Sequence, residues 1–160
     1  MNKKYINIII TIVASFIVLM LLINAASSII INSIPSLKFK KNEDIIVEIA
    51  DYFINLPYGY VSISSSDDKN TLFVADSTTA RGKDISIGDS KIENDINILF
   101  KKNGYFVIEK GANYIRFITG GLLNNSQGFI YFMTENTTTD QINICSLVKL
   151  PEGGWYYYTE

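Results

Sequence analysis

The chain has 160 residues, of which 48% are hydrophobic and 19% charged, with a formal net charge of −2. Disorder needs low hydrophobicity and high net charge, so this composition points to a packed core. Histidine is absent and Cys145 is the single cysteine, which excludes an internal disulfide, a Cys/His zinc site and any nucleophile–histidine mechanism within the chain. No cofactor is expected.

Tyr5 to Ile23 carries no charge and is dominated by Ile, Val, Leu and Phe. Eighteen or more such residues are enough to span a bilayer core as a helix. The reading is an N-terminal transmembrane helix, with residues 1–37 as anchor and juxtamembrane segment and residues 38–160 as the globular domain. A cleaved signal peptide is the rival, with Ala25 and Ser27 as the small pair at the cut. Lys3 and Lys4 precede the apolar run, which places the N-terminus in the cytoplasm and the domain outside. Lys38, Lys40 and Lys41 argue for the opposite orientation. Every acidic residue lies at or after Glu43, so the domain is acidic and no nucleic-acid partner is expected. The outline of basic leader, hydrophobic helix and small sheet domain is similar to pilin-like filament subunits. Their Gly before the run and Glu within it have no counterpart before Asn24.

Pro35 is read as a helix stop. Asn42 to Leu56 reads as an amphipathic helix, with Asn42 as N-cap, an apolar stripe through Ile45, Ile46, Ile49, Tyr52, Phe53 and Leu56, and Pro57 as its end. Tyr58–Ser64 and Thr71–Asp76 alternate as strands around a polar turn. Ser77–Gly88 receives no regular structure. A second helix is expected from about Lys91 to Asn103, started by a Ser90/Glu93 capping box and closed by Gly104. Five strands follow: Tyr105–Lys110, Asn113–Thr119, Gly128–Met133, Ile142–Leu150 and Trp155–Thr159. The short joints favour antiparallel neighbours. The fold class is therefore α+β: a transmembrane helix, then an antiparallel sheet of about seven strands carrying two helices on one face.

Asp67, Asp68 and Asn70 offer oxygen ligands but lack the full calcium-loop pattern, so a hairpin turn is the better reading. Gly120-Gly121 reads as a strand-end turn, and Cys145 as a small half-buried strand residue. Arg116 projects opposite Ile115 and Phe117, with Glu109 on the preceding strand as a cross-strand partner. Glu109, Glu135 and Asp76 all adjoin strands, but nothing in the sequence sets their separation. The run Trp155-Tyr156-Tyr157-Tyr158 is the most distinctive. As a terminal or edge strand it places Trp155 and Tyr157 on one face, to close the core, and Tyr156 and Tyr158 on the other. With Arg116, these four are the candidate partner-binding residues.

The stretch from Asn103-Gly104-Tyr105 through Tyr114-Ile115-Arg116-Phe117 and Gly128-Phe129-Ile130-Tyr131 to Gly154-Trp155-Tyr156-Tyr157-Tyr158 resembles a group of small, uncharacterised membrane-anchored proteins of low-GC Gram-positive bacteria. The resemblance covers the last third to half of the chain. It implies the architecture and a membrane location, and no activity. The expected function is a non-catalytic module tethered to the cell membrane, extracytoplasmic, binding an envelope protein or glycan. The alternatives are a carboxylate-dependent envelope hydrolase and a filament or complex subunit.

Overall fold

A computed structural model describes residue 13 and residues 15–20, 34–68, 70–76, 82–122, 125–134 and 144–160. The chain divides into two compact units, Met1–Lys38 and Phe39–Glu160. In the first, Val13 and residues 15–20 are helical and exposed. The rest of the expected Tyr5–Ile23 span lies outside the described residues. Among the described residues, no helix is long and apolar enough to cross a membrane.

Helix α1 runs over Pro35–Asn55, so it starts before Asn42, and Pro35 opens it where a stop was expected. Proline suits the first helical position because the N–H it lacks would have no intrahelical partner there. Lys38 N–H donates to the Ile34 carbonyl at 3.0 Å, closing the first turn. Asn42 is not a cap. It is buried with Phe39, Ile46, Ile49, Ala50 and Phe53 along one helix face.

The sheet follows as β1 (Tyr60–Ser64), β2 (Thr71–Ala75), β3 (Gly82–Ser86), helix α2 (Ser90–Asn103), β4 (Val107–Lys110), β5 (Tyr114–Leu122), β6 (Asn125–Phe132), β7 (Ser146–Lys149) and β8 (Trp155–Thr159). These form an eight-stranded sheet in the order β3-β2-β1-β4-β5-β6-β8-β7, with every described pairing antiparallel. The fold is α+β, and the sheet has one strand more than expected. The addition is β3, an edge strand whose Gly-Lys-Asp-Ile-Ser sequence has too little apolar content to declare itself.

Two other details differ from expectation. Strands β5 and β6 extend as a hairpin through Gly120 and Gly121, which pair with Gln127 and Ser126 beyond a register shift between Ile118 and Gly120. Asp89, not Ser90, caps α2: its Oδ1 accepts from Lys91 N–H at 2.9 Å and Ile92 N–H at 3.2 Å. The other end of α2 closes as expected, with Gly104 at φ 67° and its N–H on the Leu99 carbonyl.

Both helices pack on one sheet face. Phe39, Ile46, Ile49 and Phe53 of α1 and Ile92, Ile96 and Leu99 of α2 share a core with Val61, Ile63, Leu72, Val74, Ile108, Ile115, Phe117, Phe129 and Trp155. Its aromatic centre joins Phe39 to Trp155 and Phe129 at ring separations of 5.1 and 5.3 Å. Lys110 is buried at the edge of this face. Its ammonium donates to the carbonyls of Ile54 at 3.1 Å and Leu56 at 2.8 Å, at the C-terminal end of α1. Burial lowers its pKa.

Candidate functional site

The strand registers align one continuous row of residues on the sheet face turned away from α1 and α2. It runs Asp84, Phe73, Ser62, Glu109, Arg116, Ile130, Tyr156, Lys149, one residue from each strand. Alternation along each strand fixes the face, because its neighbours Ile108, Ile115, Phe117, Phe129 and Trp155 point into the helix-side core.

Arg116 is the centre of the row. Its Nε donates to Glu109 Oε1 at 2.6 Å, and its Nη1 donates to Glu160 Oε1. The three side chains are 16%, 10% and 18% exposed, so this is a largely desolvated pairing. The guanidinium lies 5.8 Å from the Tyr114 ring centroid and 5.9 Å from that of Tyr158, and aromatic faces favour a cation at such distances. Burial works against its charge, but Glu109, Tyr158 and Glu160 outweigh that and raise its pKa. A second layer holds the carboxylates. Tyr114 OH donates to Glu109 Oε1 at 3.1 Å, Ser126 Oγ donates to Glu160 Oε2 at 2.5 Å, and the Ser126 and Tyr158 hydroxyls lie 3.3 Å apart. Burial pushes the Tyr158 hydroxyl up to about 12. Burial and then the Glu109 charge raise Tyr114, and burial first among its causes raises Tyr60. Gly128 lies between Ile118 and Tyr158 in the next row, where a Cβ would meet the Phe117 carbonyl oxygen at 2.0 Å.

The candidate residues separate as follows. Arg116 pairs with Glu109 in register, and Glu160 is the partner that sequence reasoning missed. Its parity with Tyr156 and Tyr158 is visible in the sequence, but meeting Arg116 depends on the β6–β8 register. Trp155 and Tyr157 face the helix-side core, Trp155 buried and Tyr157 partly buried. Tyr156 and Tyr158 face outward with Arg116. The outer face has its own small apolar cluster: Ile130 and Tyr158 are fully buried, ringed by Tyr114, Phe132, Ile144, Leu147 and Tyr156. The run is not an edge strand, since β8 lies between β6 and β7.

Elsewhere, Asp67 Oδ2 accepts from Ser64 N–H at 2.7 Å and Thr71 N–H donates to the Asp68 carbonyl at 3.1 Å, the bonding of a hairpin turn. Cys145 is exposed and lies just outside β7, correcting the half-buried strand position expected for it. Glu135 lies outside the described residues. Glu109 and Glu160 both converge on one guanidinium, so the arrangement is an ion-pair triad with two acids and one base.

Comparison with protein-family models, with curated proteins and with solved structures finds no match for this chain.

Proposed function

We propose that the chain is a membrane-tethered, non-catalytic binding module, that its domain lies outside the cytoplasm, and that the outer sheet face is its recognition surface for an envelope protein. The row through Arg116 carries this reading. A rigid charged centre is flanked by aromatics that retain exposure, Phe73 at 42% on one side and half-buried Tyr156 on the other. Aromatic rings of limited flexibility around a fixed arginine suit the desolvated centre of an interface. The surface extends across the full width of the sheet, which suits a protein surface better than a narrow chain.

Catalysis by a carboxylate pair asks for one acid free to carry a proton and another to act as base or nucleophile. Glu109 and Glu160 are both paired with Arg116, so neither stands free to take one of those roles, which supports the non-catalytic reading. For the tether, support comes from the uncharged Tyr5–Ile23 run and from helical residues 16–20. Phe16, Ile17, Val18, Leu19 and Met20 are consecutive, so they point all round the helix, and each is 48–63% exposed. A helix that is apolar on every side suits a lipid environment. Lys3 and Lys4 support the orientation.

The test uses the full chain in native membranes. It should resist carbonate extraction, and chemical crosslinking should recover a protein partner. Phe73→Ser and Tyr156→Ala should lower that recovery about tenfold, equivalent to roughly 1.4 kcal/mol of binding. Extraction by carbonate would remove the tether. Recovery unchanged by both substitutions would remove the surface, and adducts formed with wall glycan alone would replace the protein partner with a glycan.

A further inference from the structure

We propose that the start of α1 is a docking surface for the headgroups of an anionic bilayer; this rests on the membrane tether and not on the outer sheet face. Ile34, Leu37, Lys38 and Lys41 follow i, i+3, i+4, i+7 spacing, so they share one strip of the helix, and Lys40, three residues after Leu37, widens it. Phe39 turns the other way, into the core. Ile34 is 42% and Leu37 40% exposed, and Lys40 and Lys41 are exposed beside them. Apolar side chains flanked by lysines make an interfacial surface: the first enter the acyl boundary and the second meet lipid phosphates.

The charge pattern names the occupant. Helix α2 follows the dipole rule, with Glu93 in its first turn and Lys101 and Lys102 in its last. Helix α1 has no acid in its first turn and no basic residue in its last, and its first charges are Lys38, Lys40 and Lys41. Lysines at that end are unfavourable to the helix alone, and phosphates around them offset the cost. Residues 42–160 hold all 16 acidic residues and only 9 of the 14 basic ones, so an anionic surface repels the rest of the domain and favours contact at this end. Only residues 24–33 separate the strip from the Tyr5–Ile23 run. A bilayer that holds that run therefore has the strip within reach, at high effective concentration. Lys38, Lys40 and Lys41 count against a domain outside the cytoplasm in the orientation rule. As headgroup contacts they require neither leaflet in particular.

The full chain is placed in nanodiscs of phosphatidylcholine, with or without phosphatidylglycerol, and its lysines are acylated with a neutral reagent and followed by mass spectrometry. Lys40 and Lys41 should react about fivefold more slowly in the anionic discs, and added salt should remove the difference. Lys101 and Lys102, exposed on α2, should react equally in both. Leu37→Glu puts an acid into the strip at an exposed position that suits the helix dipole. It should leave the melting temperature at or above wild type and return Lys40 and Lys41 to their rate in phosphatidylcholine. A chain that does not enter the discs would remove the tether, and this contact with it. A chain that enters them but reacts equally in both lipids would overturn the contact and leave the tether standing. Equal protection by inorganic phosphate added to phosphatidylcholine discs would replace the lipid surface with a small-anion site, and protection that survives Leu37→Glu would overturn the strip.

Discussion

At the scale of residues, Trp155 and Tyr158 are both buried, but in different clusters on opposite faces of β8. Alternation in the sequence separates Trp155 and Tyr157 from Tyr156 and Tyr158, and the structure keeps that separation. What alternation does not carry is the depth of the second face, because Tyr158 is covered by Ile130 and Leu147 from neighbouring strands. Truncating Trp155 or Tyr158 to Ala should each cost about 3 kcal/mol or more, as buried aromatics do. Tyr156→Ala and Tyr157→Ala should cost roughly half as much, because part of each ring remains in water. Denaturant unfolding of the four variants checks the order, and a small loss at Tyr158 would contradict a buried second face. The Arg116 triad behaves differently. Arg116→Met leaves two acids without their counterion and should cost about 3 kcal/mol. Adding Glu109→Gln to that variant should recover part of the loss, and a double-mutant cycle measures how much.

At the scale of elements, periodicity reveals the middle of α1 but not its start. Phe39, Asn42, Ile46, Ile49 and Phe53 follow helical spacing, yet Lys38, Lys40 and Lys41 interrupt the apolar pattern and Pro35 looks like a boundary. Tertiary contact decides the matter, since Phe39 is buried against Trp155 and Phe129, both more than 80 residues away. Asn42 is drawn inside with it. Burial raises the pKa of Tyr105, and neighbouring Asn42 partly offsets that. Lys110 closes the other end of α1, and no local signal 54 residues upstream announces it. A cation on terminal carbonyls stabilises both the hydrogen bonds and the helix dipole. Lys110→Met should therefore cost about 1–2 kcal/mol despite its apolar fit. Asp89→Ala should cost about 1 kcal/mol through the N-cap of α2, and Ser90→Ala much less. Equal losses at Asp89 and Ser90 in thermal unfolding would return the cap to Ser90.

At the scale of the whole molecule, the sheet has one helix-covered face and one face organised around Arg116. Seven of the eight strands and the antiparallel preference were legible because turn residues and alternation are local, whereas β3 carries too little apolar content to show. The order β6-β8-β7 and the eight-residue row were not, because register between distant strands is set by contacts that no short window contains. The tyrosines report on the integrity of both faces. Burial raises Tyr52, Tyr60, Tyr105, Tyr114, Tyr157 and Tyr158, the last to about 12. Unfolded tyrosines release their protons near 10, so the folded chain holds more protons in this range. The stability they contribute is full below about 10 and is lost as pH rises towards the folded values. Lys110 works in the opposite direction, since its lowered pKa makes burial less costly as it deprotonates, but one lysine faces six tyrosines. Tyrosinate absorbance should therefore rise together with unfolding in an alkaline titration, and early, non-cooperative ionisation would contradict the buried assignment. The central claim, that the outer face of a membrane-tethered domain contacts a partner, is tested most directly by site-specific photocrosslinking in native membranes. A photoreactive residue replaces Tyr156 on the outer face in one protein and Lys101, exposed on α2, in another. The account predicts a discrete protein adduct from position 156 and none from position 101. Adducts from position 101 alone, or none from either position, would contradict it.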